Sequence, residues 1–420
     1  MQPMFVRFPA FVAGVLLIPL TYQVSYRMYH SRTGALLAAS FVMAWPALID
    51  YSVNARGYSL LVFFTMILVW LVHLLKTRSN LIQWLLFIVT LVLGFYTIPV
   101  MLFPAGMVAL WLFLSIIVEN HGKQRKRLLM HFVMAMIASG LLIILVYTPV
   151  LIGSGLDSLI GNGYVASLPP SVFYSQVPGI LQGIIRYINW GMPTSIAALG
   201  LFFVVVATVC HKRMATHQIL WVLAAILWIV PLILIKRSVL FARTWLFLIP
   251  LYLTLAAAGL NYVVRWLYQR LNLRPARPSY VNVAIVLVGI LLAGQVVASN
   301  VVAEHTETGR GDAAGAAARY LNDILESDDL FVASSPTNFL VFYYATANKF
   351  YRVIDLFVWN EGNSEKVHHT MGYVYFMAHT EAEFERIVTG LGDIVYEAEV
   401  VHEFPSATLM RLPRNQIPVE

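Results

Sequence analysis

The chain has 420 residues; 59% are hydrophobic, 12% are charged, and the net charge is +7. A soluble globular protein carries about twice that charged fraction, and a disordered chain needs low hydrophobicity, so both classes are excluded. One cysteine, Cys210, excludes an internal disulfide and a Cys-based zinc site. The basic residues sit in short loops between apolar runs, which speaks for a membrane lipid partner and against nucleic acid. The composition is that of a polytopic membrane protein.

Ten apolar runs have the length a helix needs to cross roughly 30 Å of hydrocarbon. They lie near 8–27, 34–50, 57–75, 81–97, 99–118, 128–149, 194–210, 217–235, 241–263 and 281–299. The fourth and fifth form a tight helical hairpin. The first run lacks a basic leader of the usual kind, so no cleavable signal peptide is expected. Segment 150–193 reads as a long loop, with Gly153-Ser154-Gly155 and Gly161-Asn162-Gly163 as flexibility points.

Lys and Arg set the expected orientation. One set of alternate loops carries fourteen of them: Arg27, Arg32, Lys76, Arg78, Lys123, Arg125, Lys126, Arg127, Lys212, Arg213, Arg265, Arg270, Arg274 and Arg277. The other set carries six before residue 300: Arg7, Arg56, Arg186, Lys236, Arg237 and Arg243. The first set is expected in the cytoplasm. The loop 150–193 and the tail after 300 are then extracytoplasmic. The compact loops lean towards a bacterial inner membrane.

Acidic residues mark a domain boundary near Asn300. Only Asp50, Glu119 and Asp157 precede it, and 18 of the 21 Asp and Glu follow it. Two domains are expected, a multi-span unit over 1–300 and a soluble extracytoplasmic unit over 301–420. In the tail, Asp312 can cap a helix running to about Glu326. Leu330–Ala333 reads as a strand and Thr337–Ala347 as a helix. Tyr351–Phe357 and Gly372–Ala378 read as strands. Thr380 with Glu383 forms a capping box for a helix to Gly390. Ile394–Val401 and Thr408–Leu412 read as further strands. Alternating elements of this kind predict a small α/β domain with a mixed sheet. His368-His369 reads as an exposed pair, and no metal site is assigned. Phe339, Phe342, Tyr343 and Tyr344 read as tail core, and Tyr174, Tyr187 and Trp190 as an interfacial aromatic belt or an acceptor groove.

Walker, HExxH and G-x-S-x-G motifs are absent from the sequence. Two polar features remain. Lys236, Arg237 and Arg243 cluster on the side where positive charge is normally sparse. They read either as snorkelling cations or as a clamp for an anionic lipid head, a task suited to the arginine fork. The tract Asp50-Tyr51-Ser52-Val53-Asn54-Ala55-Arg56-Gly57-Tyr58-Ser59-Leu60 joins two spans on the same side. It reads as a short loop with Asp50 paired to Arg56, or as a site in which Asp50 is one of very few possible bases. Glu119 is expected to balance the Lys123–Arg127 run. Asp157 is the weaker alternative base.

These residues, in this order, resemble the GT-C superfamily of membrane glycosyltransferases. The likeness is to the polyprenyl-phosphate-sugar mannosyltransferase-like (RgtA/B/C/D-like) branch, whose members often carry Y-S-x-x-A-R-x-Y-S-L, here Tyr51 to Leu60. A late span beginning R-x-x-x-x-x-P appears as Arg243 to Pro250. The tail tracts Ala316–Leu321 and Asp328–Val332 also resemble the family. The resemblance implies a polytopic fold of about ten spans with an extracytoplasmic tail. It implies inverting transfer of a sugar from a polyprenyl-phosphate donor to a glycan, lipid or protein acceptor. Arg56, Tyr58, Lys236, Arg237 and Arg243 are then the phosphate-side residues, with Asp50 the substitute base. Neither residues nor resemblance names a cofactor or a required metal. Two departures stand out: Asn54 replaces the Glu often found before Ala-Arg, and the chain opens at the segment that follows the family's first span and acidic loop. The expectation is a shortened chain or a member without the usual base. The alternatives are a secondary transporter or flippase, disfavoured by the lack of internal repeats, and a non-catalytic lipid-binding relative.

Overall fold

The computed structural model describes residues 3–76, 80–155, 167–238, 240–272, 278–299, 311–333, 337–359, 372–378, 398–404 and 407–412. The chain divides into two compact units, Gln2–Val302 and Ala303–Glu420.

Each expected apolar run is helical. In chain order they are α1 (Pro3–Tyr29), α2 (Arg32–Ala44) with α3 (Pro46–Ser52), α4 (Tyr58–Leu75), α5 (Leu81–Thr97), α6 (Leu102–Glu119), α7 (Gly122–Ser154), α9 (Thr194–Val209), α11 (Trp221–Lys236), α12 (Leu248–Arg270) and α13 (Pro278–Ala298). Short turns Pro99–Met101 and Ala242–Trp245 lead into α6 and towards α12, and α10 (His211–Met214) follows α9. Among the described residues, six helices are long and apolar enough to cross a membrane, or seven if the bent pair α2–α3 counts as one. The helices α5, α9 and α11 are shorter, at 17, 16 and 16 residues. The last two extend about 24 Å, just under the hydrocarbon thickness. The chain is an integral membrane protein. Its lipid-facing helices show why: α13 exposes Leu287, Leu291 and Ile290, and α7 exposes Ile137, Leu141 and Leu145. Such a surface would aggregate in water and is ordinary in hydrocarbon.

Pro46 makes the elbow between α2 and α3, which bend by 61°. Proline disfavours the helical conformation of the residue before it, and Trp45 is extended there. Packing in the bundle relies on small residues at close crossings. A side chain at Gly259 of α12 would collide with the Phe203 backbone of α9. Ser31, the N-cap of α2, accepts from Asn261 and Arg265 of α12 at 3.1 and 3.2 Å.

The loops segregate to two ends. At the end holding the basic loops, Thr216 donates to the Arg27 and Met28 carbonyls, and Asn120 donates to the Lys76 carbonyl. Glu119 pairs with Lys76 at 2.9 Å and accepts from the Gln218 N–H. This corrects the expected partnership with Lys123–Arg127. Glu119 ends α6 facing the bundle, whereas residues 121–127 begin α7 on an exposed surface.

Segment 150–193 is not one long loop. α7 extends to Ser154, and a helix α8 covers Pro170–Ile188. Asp157 and Gly161-Asn162-Gly163 lie outside the described residues.

In the second unit, α14 (Gly311–Ile324), β1 (Leu330–Ala333), α15 (Thr337–Asn348), α16 (Tyr351–Asp355), β2 (Phe357–Trp359), β3 (Val374–Ala378), β4 (Glu399–Phe404) and β5 (Ala407–Leu412) form a small α/β fold. The sheet order is β2-β1-β3-β5-β4. β1 pairs in parallel with β2 and β3, while β5 pairs antiparallel with β3 and β4. Tyr351–Phe357, expected as one strand, is instead a helical turn followed by a strand. Val353 is fully buried in that turn, and Phe350 donates its N–H to the Ala345 carbonyl. Of the expected aromatic core, Phe339 and Tyr343 are exposed. Thr380, Glu383 and His368-His369 lie outside the described residues.

Candidate functional site

At the end opposite the basic loops, two tracts far apart in sequence meet. Tyr58 opens α4 after the turn that follows α3. Arg243 sits in the Ala242–Trp245 turn between α11 and α12. Arg243 Nε donates to Tyr58 Oη at 3.2 Å. The guanidinium carbon lies 6.0 Å from the Tyr58 ring centre and 4.1 Å from that of Phe241. Cation and ring quadrupole attract at such distances, so both aromatics help hold the guanidinium.

The first tract has its own scaffold. The Tyr51 ring meets the Tyr58 ring edge-on at 5.5 Å, and Ser59 Oγ donates to the Tyr51 carbonyl. Gly57 caps α4 where a Cβ would press on Thr97 of α5, so glycine is required by space. Inside this turn Arg56 is half-buried, and its Nη1 is buried without a hydrogen-bond partner. The same holds for Asn54 Nδ2. Two buried donors lacking acceptors are costly, at about 1–3 kcal/mol each. An acceptor-only group such as a phosphate matches them chemically.

Asp50 lies in α3 and is fully buried. It is the one carboxylate near this end among the described residues of the membrane unit, since Glu119 is engaged with Lys76 at the other end. Lys236 and Arg237 end α11. Lys236 is exposed in the last turn, where a cation complements the helix dipole. Arg237 adopts the left-handed C-cap conformation (φ 47°), and its carbonyl accepts from Leu168 N–H at 2.9 Å. The structure thus brings Arg243 to Tyr58, two residues from Arg56. The contacts it records for Lys236 and Arg237 are those of a helix end, not of that pair. Sequence reasoning gave Phe241 and Asn54 no role in the site. Both flank matched arginines, and an aromatic or amide beside an isolated cation was the available signal.

An apolar crevice lies between α1 and the α2–α3 elbow. Leu17, Ile18, Val42 and Leu48 line it, with Ser52 on its wall, two residues beyond Asp50. At the opposite end a second polar cluster joins His73, His211 and His217 around Trp111. His217 lies 5.4 Å from His73 and 4.7 Å from His211, ring to ring. No group of three or more His, Cys, Asp or Glu is placed to hold a metal ion among the described residues.

Two solved structures carry the same fold at low identity. ArnT from Cupriavidus metallidurans in the apo state is 10% identical, with a TM-score of 0.57 over 99% of this chain and 84% of that one. The same protein bound to undecaprenyl phosphate is 10% identical, with a TM-score of 0.52 over 97% of this chain and 83% of that one. No protein-family model and no curated protein matches the sequence.

Proposed function

We propose that the chain is a glycosyltransferase that takes a sugar from a polyprenyl-phosphate donor at the outer face of a bacterial inner membrane. The observation that carries this reading is the Arg243–Tyr58 contact, together with the buried, unpartnered donors of Arg56 and Asn54 in the turn that leads to Tyr58. The fold likeness to a protein bound to undecaprenyl phosphate supports it. Arg243 and Arg56 hold the phosphate leaving group, and Tyr58 positions Arg243. Lys236 and Arg237 add positive potential at the same end of the bundle. The crevice beside Ser52 receives part of the prenyl chain. Asp50 takes the acceptor proton as the sugar transfers with inversion. Residues 1–300 form the membrane domain, and 301–420 a soluble extracytoplasmic α/β domain.

The test is a titration of undecaprenyl phosphate onto detergent-solubilised protein by native mass spectrometry, run beside a transfer assay with labelled polyprenyl-phosphate sugars. A hydrogen bond to a charged group contributes about 1.5–3 kcal/mol, so Arg243→Ala and Arg56→Ala should each weaken binding by roughly ten- to hundredfold. Wild-type affinity in both variants would sink the phosphate clamp. Asp50→Asn should keep lipid binding and lose transfer. Binding without transfer in the wild type would favour the non-catalytic lipid-binding relative.

A further inference from the structure

The helix α8 divides its surface into three sectors rather than two. At about 100° per residue, one sector carries Phe173, Val177, Ile180, Ile184 and Tyr187. Phe173 and Tyr187 are buried, and Ile184 packs against the core of the membrane unit. The next sector, centred about 100° away, carries Tyr174, Pro178, Leu181 and Ile185. It is apolar and open: Tyr174 is 58% exposed, Leu181 56% and Ile185 63%. The third sector, about 200° away, carries Ser171, Ser175, Gln182 and Arg186, all exposed.

A helix packed on a bundle in water needs only two sectors, one apolar and one polar. A third, exposed and apolar at a right angle to the packed face, fits a helix bordered by protein on one side, lipid on the second and water on the third. Its two ends fix it at the end of the bundle that holds Arg243. Just before α8, Leu168 N–H donates to the Arg237 carbonyl at the end of α11. At its C-terminus, the Ile188 carbonyl accepts from Trp45 Nε1 at the α2–α3 elbow, at 2.7 Å. Between these ties α8 packs against the turn Ala242–Trp245 that carries Arg243.

We infer that α8 lies in the plane of the membrane interface, with Tyr174, Leu181 and Ile185 seated among lipids at the boundary of headgroups and acyl chains. The partner is the bilayer itself, and the inference does not depend on the transferase reading. An amphipathic helix of this kind buries its apolar face about 5–10 Å into that boundary. Seating α8 in lipid fixes the height of the Arg243 turn relative to the headgroups, because the two pack together.

Cys210 is the only cysteine, so a Cys210→Ser background permits single spin labels. Leu181→Cys and Ile185→Cys would carry nitroxides on the proposed lipid sector. Ser175→Cys and Gln182→Cys would carry them on the aqueous one. The full chain is reconstituted in nanodiscs of phosphatidylethanolamine and phosphatidylglycerol. Power saturation then compares accessibility to oxygen, which partitions into lipid, with accessibility to a water-soluble nickel chelate. The expected result is several-fold oxygen preference at 181 and 185 and nickel preference at 175 and 182. Equal nickel access at all four positions would place the apolar sector in water and overturn the inference. Low access to both reagents at 181 and 185 would place it against protein and overturn it as well. All four positions are exposed, and an unchanged thermal midpoint checks that each labelled variant is folded.

Discussion

Tyr58 holds Arg243 through one nitrogen, and that detail separates its role from the arginine's own. Tyr58→Phe keeps an aromatic ring beside the guanidinium and deletes only the acceptor of a single hydrogen bond. That bond positions the arginine and leaves its charge in place, so phosphate-lipid binding should weaken, but by less than in Arg243→Ala. If Tyr58 acts only through Arg243, adding Tyr58→Phe to Arg243→Ala should cost nothing further. Additive losses in that double-mutant cycle, read by the same lipid titration, would show that Tyr58 meets the ligand independently. The two motifs, Tyr51–Leu60 and Arg243–Pro250, are legible in the sequence as local patterns. Their contact is not, because nothing local reports a pairing across 185 positions. Lys236 and Arg237 illustrate the converse. Nearness in sequence groups them with Arg243, yet a helix end and a left-handed residue intervene.

At the scale of elements, apolar runs long enough to cross a bilayer are easy to read, and mixed ones are not. α8 escapes a span search because it alternates apolar and polar residues, and its glycines suggest a loop. The connector from α10 to α11 is similarly opaque, although it is tied into the basic end of the bundle. Thr216 donates there to the end of α1, and the buried His217 packs among Tyr29, His73, Trp111 and His211. Burial holds the His217 pKa well below the usual 6.5, and the charges of His73, His211 and Lys76 act in the same direction. Burial also lowers His211. The folded state therefore keeps these rings neutral where the unfolded chain binds protons. Their contribution to stability is complete above about pH 6.5 and falls as the pH drops below it. Thermal unfolding in detergent should show a lower midpoint at about pH 5 than at about pH 7.5. His217→Gln should shrink that difference. A midpoint difference unaffected by the substitution would assign the acid sensitivity to other groups.

At the scale of the whole molecule, charge and fold meet in one argument about topology. The alternation of loops around ten apolar segments sends both ends of the membrane unit to the same side. The contacts among Arg27, Lys76, Glu119, Asn120, Thr216 and Gln218 gather the basic loops at one end. By sequence, fourteen cations are expected with these loops against six on the other side, the asymmetry that marks cytoplasmic loops. The six that remain opposite run against that rule, and four of them have a local reason to be there. Arg243 and Arg56 have one in the outer turns, Lys236 complements a helix C-terminus, and Arg186 lies on the water-facing sector of α8. The expected topology therefore places these residues and the acidic tail outside. In the Cys210→Ser background, a membrane-impermeant maleimide added to intact cells should label Gln182→Cys and Glu399→Cys, both exposed positions. It should reach Lys123→Cys, also exposed, only after the membrane is permeabilised. The reverse pattern would put Arg243 and the tail in the cytoplasm. A donor presented at the outer face would then have no route to the arginines, and the transferase reading would fail together with the topology.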